Sequence, residues 1–236
     1  MAIRRPRAAH SIHRKRRAIR GLRLVRRLPA TGPGFLRLER WTARNLYADG
    51  AVSAAYTFDV VHRRTLDAVA IIPYFFAGTG PGRRLMVVYK VGFRPGLHLR
   101  SRLRLPVRER AHTQVPEAVA GSLEPGDRGE RGIDARARAE LFEETGLRPR
   151  RIIERLGAGF FPSHGQSTEK VHLRAAHVDP ATAVPPPGDG SINERDAGTA
   201  VMEAARLLRA CRSGRIEDPK LEIGVTRLCR RLGYPV

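Results

Sequence analysis

Cysteine is scarce: Cys211 and Cys229 are the only two, and neither has a second Cys or a His at zinc-ligand spacing. That excludes a disulfide framework and a structural zinc centre, and leaves two buried free thiols in a reducing compartment as the expectation. Long apolar runs are lacking as well. The longest, Ala68 to Gly78, has 11 residues and is interrupted by Pro73. A bilayer-spanning helix needs about 20, so no membrane partner is expected. No uninterrupted apolar segment of the kind a secretory signal needs occurs near the start, which makes a cytoplasmic location the default. Lysine is nearly absent, with only Lys15, Lys90, Lys170 and Lys220 among 44 basic residues. Acidic residues are missing altogether from residues 1–30.

What is present is enough for a core: 236 residues, 42% of them hydrophobic, suit one domain with an appendage. The formal charge of +21 is uneven, because residues 1–30 hold ten Arg and one Lys. Arg14-Lys15-Arg16-Arg17 with Arg20, Arg23, Arg26 and Arg27 would surround any helix with positive charge, and self-repulsion favours a disordered tail. A nucleic-acid-binding arm, an Arg-rich organelle transit peptide and an early translation start all remain open for it. Elsewhere the basic balance favours anionic partners without choosing among them.

The organisation expected is a tail at 1–30, N-terminal strands within 31–65 and a main domain at 66–236. Strand-like runs are Phe35 to Trp41, Ser53 to Val61, Ala68 to Phe76 and Leu85 to Val91, with Asp49-Gly50 as the turn joining the first two. An Arg-rich connection, Leu99 to Arg110, precedes a short apolar run at Val115 to Ala120. A helix is expected from Ile133 to Thr145, capped by Gly146 and stopped by Pro149. Strands at Arg151 to Phe160 and Lys170 to Val178, then helices at Thr199 to Arg212 and Pro219 to Leu232, complete an α+β chain with a mixed sheet.

Chemistry concentrates on the helix near Ile133. Ile133, Ala137 and Leu141 recur every four residues and form a packing face. Glu140, Glu143 and Glu144 are spaced i, i+3 and i, i+4 and share another. Three carboxylates without interleaved lysines repel one another, and hard oxygen donors in that number suit Mg²⁺, with Mn²⁺ as the alternative. A solvated acidic face is the plain alternative for such a cluster.

Gly121 and Asp127, followed by Glu140-Leu141, Glu143-Glu144 and Gly146-Leu147, resemble the Nudix box of a large family of diphosphate hydrolases. Asp127 stands for the usual Glu, about four extra residues precede the helix, expected as a polar bulge at Arg128 to Arg131, and Ala139 replaces the box arginine. The Glu-x-x-Ala-Gly entry at Glu117 to Gly121, Phe93-Arg94-Pro95, and Pro162 sixteen residues after Gly146 resemble the ADP-ribose and nucleotide-sugar subgroup.

That resemblance implies an α/β/α sandwich preceded by antiparallel strands. It implies Mg²⁺-dependent hydrolysis of a nucleoside diphosphate linked to a sugar, ADP-ribose first among them. Glu140, Glu143, Glu144 and the Ala120 carbonyl would hold metal, and Glu143 and Glu144 would be catalytic. Arg94, Glu117 and Pro162 would bind substrate, Glu194 would be the general base, and a homodimer would form through the N-terminal strands. The alternative is a Nudix fold weakened in catalysis by Ala139 and retained, with its basic tail, as a nucleic-acid-binding or regulatory module.

Overall fold

A computed structural model describes residues 34–235 apart from Asp189, so the basic tail and its readings lie outside the described residues. The strands are β1 (Leu36–Ala43), β2 (Tyr56–Arg63), β3 (Ala68–Ala77) and β4 (Arg84–Gly92). After a short helix α1 (Pro95–Leu99) come β5 (Val115–Glu117), β6 (Val119–Ser122) and helix α2 (Gly129–Thr145). Then follow β7 (Glu154–Arg155), β8 (Val171–His177), the single turn α3 (Ile192–Arg195), β9 (Gly198–Glu203), α4 (Ala204–Arg212) and α5 (Pro219–Leu232).

β3 is the centre of a mixed sheet. It runs parallel to β8 along one edge and antiparallel to β6 and then β4 along the other. β4 in turn lies between β9 and β5. Successive side chains of a strand face opposite ways, and β3 uses both faces. Ala68, Ala70, Ile72 and Tyr74 join a core closed by Leu207, Leu208, Leu221, Val225 and Leu228 of α4 and α5. Val69 and Ile71 join a second core with Ile133, Ala137 and Leu141 of α2. A strand buried on both faces reads as a continuous apolar run, which is why Ala68 to Phe76 shows no alternation. The result is a mixed α+β arrangement of helix, sheet and helices. Both cysteines are free and buried in the α4–α5 core, where burial pushes each thiol up to about 11.

β1 and β2 form a separate antiparallel hairpin. It meets the main sheet through Arg63, which bonds Glu169 and Ser122, and through the Val61 N–H, which bonds the Gln166 carbonyl at 2.8 Å. Its Leu36, Leu38, Trp41, Tyr56 and Phe58 are exposed. No helix among the described residues is long and apolar enough to cross a membrane.

Three local expectations are corrected. The segment expected to begin a helix at Thr199 is strand as far as Glu203, because Gly198–Glu203 pairs along Met86–Val91 and its Thr199 and Val201 suit a pleated surface. The strand expected from Arg151 to Phe160 is paired only at Glu154–Arg155, since Gly157 turns the backbone to a φ of 77° before Phe160 rejoins Val171. Arg128 to Arg131 is not a bulge: α2 starts at Gly129, so the additional residues make roughly one helical turn. Glu130 and Asp134 fasten that turn to the buried Arg174, each at 2.6 Å.

Candidate active site

The two halves of the motif meet where α2 crosses β6. With Ile133, Ala137 and Leu141 packed on the sheet, Glu140 is held over β6 and above Gly121. Any side chain at 121 would overlap the Glu140 carboxyl, so the glycine is required for the close approach. Four residues on, Glu144 is more deeply buried: one oxygen accepts from Lys90 Nζ and the other from the Ala120 N–H at 3.1 Å. In a strand the N–H and C=O of one residue point to the same edge. The Ala120 carbonyl therefore also faces away from β3. Gly146 ends the helix with a φ of 68°, its N–H bonding the Phe142 carbonyl at 2.8 Å, and a side chain there would collide with Val184.

Burial and the neighbouring Glu144 and Glu143 push the Glu140 carboxyl up to about 7, against a small opposing effect of Arg136. Burial likewise raises Glu144 to about 7, although Lys90 and the Ala120 N–H pull it down. Lys90 itself is raised: burial alone would lower it, but Glu144, then Glu194 and Glu117, outweigh that effect.

Glu194 is brought to this cluster. Its backbone N–H donates to Ser191 Oγ at 3.2 Å, and its Oε1 lies 3.6 Å from Lys90 Nζ. Glu143 borders a narrow space with Glu144, Lys90 and Glu194. Glu117, directly across from Lys90 in the β4–β5 register, is buried and held by the Arg94 guanidinium through three contacts of 2.7 to 3.0 Å. Arg94 is itself half exposed.

The position of the box arginine is Ala139, and the nearest guanidinium is Arg136. It bonds Asp127 at 2.8 Å and reaches Glu140 only at 4.0 Å. Asp127 also accepts the Glu124 N–H at 2.8 Å, so it ties the loop before α2 to the helix. Pro162 lies elsewhere. It is exposed on the turn beside β2 and lines neither cavity at the glutamates.

A polar cavity of about 170 Å³ is bounded by Lys90, Arg94, Glu117, Ala120, Glu144 and Glu194. Arg94 and Glu117 are shared with a larger one of about 550 Å³, whose walls include Leu97, Pro116, Pro219, Arg110 and Arg215. The larger volume is in the range of small-ligand sites.

Among the described residues, no group of three or more His, Cys, Asp or Glu side chains is already gathered about one metal position. The donor set nonetheless suits a hard divalent cation. Glu140 is crowded by two other carboxylates and has only a distant guanidinium to offset them. Glu140, Glu143, Glu144 and the Ala120 carbonyl are the groups that would hold it. Lys90 was not foreseen from the sequence. Its one signal was a lone lysine inside the apolar run Leu85 to Val91 of a chain that otherwise uses arginine.

No protein-family model matches this chain, and no curated protein matches it. The resemblance to the Nudix box therefore rests on the residues and their placement.

Proposed function

We propose that the chain is a divalent-cation-dependent hydrolase of Nudix type, acting on a nucleoside diphosphate linked to a sugar, with ADP-ribose as the preferred substrate. The observation that supports this best is the meeting of Glu140 with Gly121 and of Glu144 with Ala120. Residues some twenty positions apart in sequence are joined at the motif's two ends. A solvated acidic helix face would need neither contact.

In this reading the diphosphate enters the 170 Å³ cavity and meets Arg94, which Glu117 holds in orientation. The nucleoside half extends into the adjoining 550 Å³ cavity. Glu140, Glu143, Glu144 and the Ala120 carbonyl would hold Mg²⁺ or Mn²⁺. When bound, such an ion neutralises phosphate oxygens and acidifies water. Glu194 accepts the proton of the attacking water as its oxygen bonds to one phosphorus. The bridging P–O bond breaks, and one water is consumed to give AMP and ribose 5-phosphate. Positioning and electrostatics supply most of the rate.

The same reading includes a homodimer. A two-stranded hairpin is marginal by itself, and the exposed Trp41, Tyr56 and Phe58, which share one face of it, form an apolar surface that a second copy would cover.

The test is purified chain with Mg²⁺ or Mn²⁺ and a panel of nucleotide sugars, scored for released monophosphate. Glu144→Gln is expected to lower turnover by about 10²-fold or more. Undiminished turnover in the folded variant would remove Glu144 from the chemistry. Absence of hydrolysis across the whole panel would favour the binding-module alternative.

A further inference from the structure

We propose that Lys90 is the resident cation of the glutamate cluster, a positioning residue whose ammonium holds Glu144 and competes with a divalent cation for that carboxylate. The proposal rests on the metal-dependent reading of the site given above.

Its placement follows from the sheet. Lys90 lies on β4 between Glu117 of β5 and Thr199 of β9, and shares the face of Val88, which packs in the α2 core. A side chain on that face in the middle of the sheet has to run beneath α2. There Lys90 is 8% exposed and Glu144 3%. Lysine is almost never this buried without a partner, and Lys90 has its partner in Glu144 Oε1, with Glu194 Oε1 at 3.6 Å.

The other oxygen of Glu144 accepts the Ala120 N–H at 3.1 Å. Both oxygens are thus engaged and the carboxylate is oriented before any ligand arrives. Glu140 has no comparable contact. The closest guanidinium nitrogen of Arg136 is 4.0 Å away, and the Nε of Arg136 is spent on Asp127. One fixed positive charge has therefore been placed on one particular carboxylate of the three. A divalent ion that uses Glu144 must displace Lys90 from Oε1 or share the group with it. In either case a buried like charge opposes its arrival, in surroundings where screening is weak. Lys90 thus keeps Glu144 ordered in the metal-free protein and lowers the metal affinity that three clustered glutamates would otherwise give. Glu194 remains beside the ammonium as its second partner.

Mn²⁺ binding to the full chain, read from the electron paramagnetic resonance of free Mn²⁺, tests this without any substrate. Lys90→Met is expected to bind Mn²⁺ about 10-fold or more tightly than the wild type. Lys90→Arg, which keeps the charge, is expected to stay close to the wild type, and adding Glu144→Gln to Lys90→Met should take the gain away. Thermal unfolding confirms that each variant is folded. Should Lys90→Met fail to fold, Lys90→Gln replaces it with the same expected direction. Equal or weaker Mn²⁺ binding in the folded variant, beside measurable binding by the wild type, overturns the role of Lys90 alone. Failure of every form to bind Mn²⁺ overturns this proposal and the metal-dependent reading together.

Discussion

Replacing Glu140 with Gln separates a site built for charge from a stable surface patch. Glu140 is 13% exposed, and burial with its two acidic neighbours pushes its carboxyl up to about 7. In the unfolded chain the group returns to the ordinary 4.5. The folded protein therefore binds this proton more tightly, and between pH 4.5 and pH 7 it holds more protons than the unfolded chain. Stability must fall as pH rises through that window, and above it the ionised group costs the fold about 3 kcal/mol. Glutamine has the shape of the protonated form and carries no charge. In chelator at pH 8, Glu140→Gln is expected to be more stable than the wild type by up to about 3 kcal/mol. For a chain of this size that is about 6 to 12 °C in Tm. At pH 4.5 the two should nearly coincide. Mg²⁺ added at pH 8 should raise the Tm of the wild type and barely move the variant. Calorimetry at several pH values reads all of this. A variant no more stable than the wild type at pH 8 would mean that Glu140 carries no stored repulsion, and the reasoning about the cluster would fail.

Two further outcomes follow from the packing. Gly121→Ala forces the Glu140 carboxyl off β6. The group displaced is the end of a flexible side chain, so urea unfolding is expected to change little while metal-dependent hydrolysis falls more than ten-fold; near-normal activity would show that the contact has no part in the chemistry. Trp41→Glu with Phe58→Glu, a cross-strand pair on one face, should leave the far-ultraviolet circular dichroism unchanged while converting a dimer to a monomer in sedimentation. A wild-type chain that is already monomeric would remove the hairpin from any interface.

The central helix was legible because its period of four, its glutamate spacing and its terminal glycine are all local. Its first turn was not, since Glu130 and Asp134 are satisfied by Arg174, some forty positions away. Gly198–Glu203 was misread for the same kind of reason. A short segment with mixed propensity takes the state its neighbour imposes, and that neighbour is the open edge of β4. Pro162 rested on its distance from Gly146 and on the resemblance of the turn from Phe161 to Glu169, and the structure bridges that turn to β2 through Ser167 and Val61.

Local spacing thus determined which carboxylates share a face of α2, and composition excluded disulfide and zinc frameworks and any apolar run long enough to span a bilayer as a helix. The tertiary structure decided what those carboxylates meet. The packing of α2 on the sheet sets Glu140 on Gly121 and Glu144 over Lys90, strand register puts Lys90 beside Glu117, and Arg94 and Glu194 are gathered around the same space. Helical periodicity repeats within a few residues and can be read from any window. Which cation neutralises a buried glutamate depends on strands paired across the whole chain, and no window contains that.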